Sequence, residues 1–226
     1  MNSEQDKIHV LLFREDGLER IHAEQTVAWF DRFAGPVKIE TVDESISVTP
    51  DERGKLSWSE LFTELGRIRR QGKVSPTTFI VLLTRTPNEK NWFAVQDDSE
   101  MRNGFIHVDD YRWMTNAPSE VISVHYVLKG IYNTLLAEKG VPWMHMIHDQ
   151  PRGCLFDFCP DKRELNFKLR TADLCGDCLH VIQSAGIPDA LLQQTVAIME
   201  ESRRLAINTG QFIEQKESFL EWPFPV

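Results

Sequence analysis

Several features are missing from this chain of 226 residues, and each absence excludes a class of protein. The formal net charge is −9, so the basic surface on which nucleic-acid binding usually depends is lacking. No apolar run approaches the length that crosses a bilayer, and the first residues lack the basic flank and apolar core of a signal peptide. No glycine-rich phosphate loop, GxSxG motif, internal repeat or low-complexity tract occurs. We therefore expect a cytoplasmic protein that has no membrane partner, and the acidic charge disfavours a nucleic-acid partner.

Cysteine is also scarce, and its four occurrences are grouped. Cys154, Cys159, Cys175 and Cys178 are spaced C-x4-C, a gap of fifteen, and C-x2-C. Two close pairs separated by one supersecondary unit suit tetrahedral zinc, because each pair supplies two thiolates from a tight turn. A disulfide framework is typical of small secreted domains without a core, whereas 42% of this chain is hydrophobic. We predict one structural zinc ion on the four cysteines; a redox or disulfide role and free thiols remain alternatives.

The hydrophobic pattern predicts an α/β protein with a mixed sheet and flanking helices. The predicted strands are 8–13, 37–43, 79–84, 91–95 and 104–108. The predicted helices are 17–34, 58–71, one within 118–140, and one from Pro188 to about 208. Ser57 and Glu60 have the spacing of a capping box for the second helix.

The length fits one domain with a short appendage. We place the main α/β domain, which includes the cysteine segment 154–178, at residues 1–186. The appendage, 187–226, consists of the last helix and a tail rich in aromatic residues and proline. The tail either docks on the domain or offers an extended peptide to a partner.

The cysteine spacing and the order of elements before it resemble the archaemetzincins, a family of metzincin-type zinc peptidases. In that family a helix carries H-E-x-x-H, and a third histidine directly precedes the first cysteine. The cysteines then run C-x4-C, a gap in the high teens, and C-x2-C, and hold a structural zinc. The resemblance covers about residues 8–182, and it implies a metzincin-like fold with the four cysteines as zinc ligands.

The catalytic motif of that family does not appear. Read along the long helix, His125 takes the first position, Tyr126 that of the general-base glutamate, and Lys129 that of the second histidine. Read back from Cys154, the position of the third histidine is Gly153. A peptidase zinc needs about three ligands, an open position and a carboxylate to take a proton from bound water. The resemblance therefore implies a degenerate, non-catalytic relative that acts as an accessory, adaptor or recognition subunit with a protein partner.

Two other functions stay open at this stage. The first is a peptidase or hydrolase with a rebuilt metal site on His125, His145 and His148, although Pro142 and Pro151 favour an irregular segment around the last two. The second is a nucleic-acid-binding zinc module. Its contacts would be the basic residues between the cysteine pairs, which are Lys162, Arg163, Lys168 and Arg170. The sequence does not fix the oligomeric state.

Some residues have expected supporting roles. Asp157 and Asp177 lie inside the cysteine turns, where a carboxylate can cap backbone amides. Trp92, Trp113 and Trp143 fall near the ends of predicted elements, where they would line a cleft or seal the core.

Overall fold

A mixed β-sheet lies at the centre of the computed structural model, which describes residues 7–72, 74–109, 111, 114–115 and 117–208. Its strands are β1 (Ile8–Glu15), β2 (Val37–Ile46), β3 (Phe79–Thr84), β4 (Ala94–Gln96) and β5 (Asn103–His107). Their order across the sheet is β2-β1-β3-β5-β4. All neighbouring strands are parallel except β4 and β5, so β4 is a short antiparallel strand at the edge.

Helices cover both faces of this sheet. They are α1 (Arg20–Phe30), α2 (Trp58–Gln71), α3 (Ser119–Glu138), α4 (Glu164–Thr171), α5 (Gly176–Ser184) and α6 (Asp189–Asn208), with a short 3-10 helix at Trp143–Met146. The central strand β3 is buried along its whole length, as expected for a strand covered on both faces. Its side chains alternate: Ile80 joins the core beneath α2, and Val81 joins the larger core beneath α1 and α3.

Helix α3 positions the site described below. Most of its residues are buried, including Val121, Leu128 and Ile131. These three residues belong to the apolar face that the sequence predicts for this helix. The helix follows Pro118 and ends before Gly140, whose φ of +79° suits a residue without a side chain. A long buried helix is a rigid support for the side chains on its remaining face.

Helix α6 is packed into the same core as the rest of the protein. Leu191 and Ile198 are fully buried in it. The side chain of Gln194 donates a hydrogen bond to the carbonyl of Phe33 and accepts one from the amide of Val37. A boundary between residues 186 and 187 stays a prediction, and the tail from residue 209 lies outside the described residues.

The predicted fold class is confirmed, with local corrections. Helix α1 is shorter than predicted, and the side chain of Ser57 makes no capping hydrogen bond, so the capping box is not formed. Helices α4 and α5, inside and after the cysteine segment, had no sequence prediction. Among the described helices, none is long and apolar enough to cross a membrane.

Candidate functional site

Three of the cysteines and one histidine form a compact cluster. The possible ligand atoms of His148, Cys154, Cys175 and Cys178 all lie within 4.8 Å of one another. His148 Nε2 is 3.2 Å from the Sγ atoms of both Cys175 and Cys178. A tetrahedral zinc ion, with Zn–S and Zn–N distances of about 2.3 and 2.0 Å, places its ligands about 3.5–3.8 Å apart. The donor types and spacings therefore fit one zinc ion bound by one histidine and three cysteines.

Local backbone structure brings these four residues together. Cys175 precedes the first residue of α5 and Cys178 lies in its first turn, where the helix dipole favours thiolates. Cys154 is joined to the same region by a backbone bridge to Asp173, and its Sγ lies 3.5 Å from the amide nitrogen of Cys175. His148 follows the short 3-10 helix, and its carbonyl accepts a hydrogen bond from Phe158. The ligands thus come from both sides of α4.

The thiols of the cluster differ in acidity. A hydrogen bond from Cys178 to Cys154 lowers the pKa of the Cys154 thiol, while burial opposes this change. The same contact raises the pKa of Cys178, since two thiolates so close together repel each other. One thiolate therefore forms readily, and a bound cation would be needed to draw the remaining protons off.

Cys159 lies apart from the cluster. Its spacing from the other cysteines predicts a zinc ligand, whereas the structure groups His148 with the other three cysteines. Cys159 is buried in a left-handed turn (φ +52°) and lies near Lys168 and Lys129. Burial raises the pKa of its thiol. The four cysteines are free thiols, with no disulfide between them.

Asp157 connects the metal cluster to its surroundings. Its fully buried carboxylate accepts hydrogen bonds from the backbone amides of Arg152, Gly153 and Cys154, at 2.8, 2.6 and 3.1 Å. The expected capping role of Asp157 is thereby confirmed. Asp177 instead pairs with the guanidinium group of Arg152 at 3.0 Å.

A cleft of about 430 Å³ adjoins this region, between the edge strand β4, helix α3 and the segment 158–162. Aromatic side chains dominate its walls: Trp58, Trp92, Phe93, Tyr126, Trp143 and Phe158. At one end, the amide of Gln96 on β4 donates to the carbonyl of Gly130 on α3 at 3.0 Å. Trp92 and Trp143 line the cleft as expected, while Trp113 lies outside the described residues.

Tyr126 and Lys129, which stand at two positions of the motif of the resembled family, line this cleft. Cys159, in the segment between Cys154 and Cys175, lines it as well. The ammonium group of Lys129 donates a hydrogen bond to the carbonyl of Asp157 at 3.2 Å, and that of Lys168 donates to the same oxygen at 3.0 Å. Two lysine amines therefore converge beside α3, and burial lowers the pKa of both.

The three candidate histidines do not converge. His125 is 2% exposed inside the core, and neither ring nitrogen has a hydrogen-bond partner among the described residues. Burial, with a smaller contribution from Lys168, lowers the pKa of His125 to about 3. His145 is exposed, and His148 belongs to the cysteine cluster. Within the described part of the chain, no other group of three or more histidine, cysteine or acidic residues has the spacing of a metal site.

Gly153 has no space for a side chain. Its φ is +78°, and a Cβ atom added there would lie 2.1 Å from the Cβ of Thr171 on α4. A histidine at this position, which would correspond to the third ligand of the resembled family, would clash with that helix. The glycine at position 153 and its close contact with Thr171 therefore both leave this position without a metal ligand.

The basic residues between the cysteine pairs do not form one exposed patch. Lys168 is 1% exposed and Arg163 pairs with Asp161 at 2.5 Å. Lys162 donates a hydrogen bond to Asn91 across the cleft mouth at 2.8 Å. This arrangement removes Lys168 from the proposed set of nucleic-acid contacts.

Solved structures of similar architecture are found among zinc peptidases. The structure of archaemetzincin from Methanopyrus kandleri aligns with a TM-score of 0.52 and 14% identity, over 83% of this chain and 100% of that one. A zinc-dependent peptidase from Methanocorpusculum labreanum (strain Z) aligns with a TM-score of 0.49 and 15% identity, over 76% and 99%. No protein-family model and no curated protein matches the sequence. The chain therefore has a metzincin-like fold similar to that of the archaemetzincin, and the resemblance seen in the sequence is confirmed at the level of fold.

Proposed function

We propose that this protein is a non-catalytic member of the metzincin-like fold class, in which one zinc ion stabilises the structure and the aromatic cleft recognises a ligand or protein partner. The observation that carries the proposal is the pair Tyr126 and Lys129 on the cleft wall of α3. Neither is among the residue types that usually bind zinc, and neither supplies the carboxylate base that a zinc peptidase needs.

Two packing features support the same conclusion. Lys168 brings a second ammonium group to the carbonyl that Lys129 contacts. The contact between Gly153 and Thr171 leaves no room for a third ligand beside the helix. The cleft itself is retained, with aromatic walls and an edge strand, and such surfaces are typical of binding sites.

The zinc ion would act by holding the cleft in shape. When bound, it would join His148 and Cys154 to the start of α5, and so fix the segment that carries Asp157 and Cys159 against α3. As this segment forms one wall of the cleft, the metal would preorganise the binding surface rather than supply a reaction.

Metal analysis and a peptidase assay test this function together. We expect one zinc ion per chain, unchanged in the variant His125→Ala, and no hydrolysis of a mixed peptide library in the presence of added zinc. The matched variant His148→Ala should lose the ion. Two zinc ions per chain, with one lost from His125→Ala, or zinc-dependent hydrolysis that His125→Ala abolishes, would show an active rebuilt site instead.

A further inference from the structure

Lys129, like Lys162, lines the cleft, and its amine contacts the carbonyl of Asp157. Its side chain forms part of the cleft wall, among Phe93, Tyr126 and Phe158. Most lysines of a soluble protein keep their ammonium group in bulk water, since transfer to an apolar site is costly. A lysine amine held on an aromatic wall is therefore a feature that requires an explanation.

The second unusual feature is a neighbouring lysine. Lys168 reaches from α4 to the carbonyl of Asp157, the oxygen that also accepts the hydrogen bond from Lys129. Lys168 is 1% exposed and does not line the cleft, so it lies behind Lys129. Two ammonium groups on one oxygen repel each other, and burial lowers the pKa of Lys168 as well. Loss of a proton from either amine relieves the repulsion, and Lys129 is the one that a ligand in the cleft can reach.

The electrostatic environment agrees with that geometry. Burial and the charge of Lys168 lower the pKa of Lys129 to about 7, while Cys159, Asp157 and Cys154 oppose the change. Other charged groups that line the cleft are Asp97, Asp98, Arg102, Asp149 and Lys162. Near neutral pH, a substantial fraction of Lys129 is thus the free amine.

A desolvated lysine beside another cation, in an apolar cavity, is a recognised arrangement for attack on a carbonyl carbon. We infer that Lys129 is a nucleophile that forms an imine with an aldehyde or ketone whose apolar body fills the aromatic cleft. This inference rests on the proposed binding function of the cleft and names the chemical class of its ligand. It does not depend on whether the protein has peptidase activity.

The reaction is balanced without a further reagent. The neutral Lys129 amine attacks the carbonyl carbon, and a proton moves from nitrogen to oxygen to give a carbinolamine. Loss of water then leaves the C=N bond. The Asp157 carbonyl orients the amine through its hydrogen bond.

Borohydride trapping tests the inference on the zinc-loaded full chain. Benzaldehyde serves as the probe, because it combines a carbonyl with an aromatic body. After reduction and peptide mapping, we expect at least about 10-fold more benzyl label on Lys129 than on the exposed Lys38 at pH 7, since an ordinary lysine is almost wholly protonated there. Equal labelling of the two would overturn the inference.

Three variants refine the test. Lys129→Met and Lys129→Arg should both lose the label, and the arginine variant keeps the positive charge in case the methionine variant folds poorly. Lys168→Met should move the pH midpoint of Lys129 labelling upward, because it removes the neighbouring cation. An unchanged midpoint would contradict the role of the lysine pair.

Binding of benzoate, followed by tryptophan fluorescence, separates this inference from the proposed function. Benzoate has the same ring but cannot form an imine. If benzoate binds and Lys129 remains unlabelled, the imine is refuted and the cleft remains a binding site. If neither compound binds, the recognition of such ligands by the cleft is refuted as well.

Discussion

The ligand set of the metal cluster leads to a sharp prediction, because sequence and structure differ on one residue. The spacing of the cysteines favours Cys159, whereas the structure places His148 beside the other three. We predict that His148→Ala abolishes stable zinc binding, and that Cys159→Ser retains one zinc ion per chain.

The magnitude follows from the length of chain that the metal closes. The cluster joins His148 to Cys178, a stretch of about thirty residues, and a cross-link of this length stabilises a fold by about 4 kcal/mol in the chain-entropy model. The full binding free energy of structural zinc is larger, on the order of 10 kcal/mol. We take about 4 kcal/mol as the loss of unfolding free energy when the ion is removed.

Urea unfolding with and without a chelator measures this loss. With a denaturant slope of roughly 2–3 kcal/mol/M, it corresponds to a midpoint lower by roughly 1.5 M. We expect chelation to produce this shift in the wild type and in Cys159→Ser. His148→Ala should have the lower midpoint already in the presence of zinc, and zinc analysis after dialysis gives an independent readout. If Cys159→Ser loses zinc while His148→Ala keeps it, the four-cysteine set is correct and the cluster in this structure is not the metal site.

Other predictions concern packing and protonation. The buried His125 has a pKa of about 3, against about 6.5 when unfolded, so the unfolded state binds the extra proton as the pH falls from 6.5 toward 3. The free energy of unfolding should fall in that window by up to about 1.4 kcal/mol per pH unit. Urea unfolding at several pH values should show a shallower fall for His125→Leu than for the wild type. Parallel curves for the two proteins would contradict this prediction. Gly153→Ala should destabilise the fold by about 2–4 kcal/mol through its contact with Thr171. The control Gly54→Ala, where φ is +72° but the surrounding space is open, should destabilise it by about 1 kcal/mol. Equal losses of unfolding free energy in the two variants would argue against the clash. Asp157→Asn should lower stability by about 2 kcal/mol, because a charged acceptor of three amides is lost, and an unchanged unfolding midpoint would refute that role.

Strands β1 and β3 could be predicted because they contain apolar runs, and β2 because its apolar and polar residues alternate at its start. Phe79–Thr84 is such a run, and the strand has these bounds in the structure. Trp58–Gln71 likewise matches its predicted helix. Its apolar stripe indicates a helix, and the polar residues that flank it mark the two ends. Helices α4 and α5 had no prediction, because sequences of eight and nine residues are too short for helical periodicity to stand out.

The candidate site was less accessible to sequence reasoning. Cys154, Cys175 and Cys178 are recognisable from spacing, but the fourth member depends on how the segment 141–159 turns back on itself. His148 is six residues before Cys154, and only the backbone bridge between His148 and Asp157 brings it to the thiols. The motif H-M-I-H was the available signal. The meeting of Lys129 and Lys168 on one carbonyl is likewise a tertiary contact, with about forty residues between them in the chain, and spacing alone does not show it.

Asp157 links the metal cluster to the cleft. Its carboxylate holds the amides that lead into Cys154, and its carbonyl holds the amines of Lys129 and Lys168. Asp157 thus contacts both the metal cluster and the cleft. Any coupling between binding at two sites is reciprocal. A ligand that tightens on Lys129 in the zinc-loaded form must therefore, by the same factor, make the protein hold its zinc more tightly.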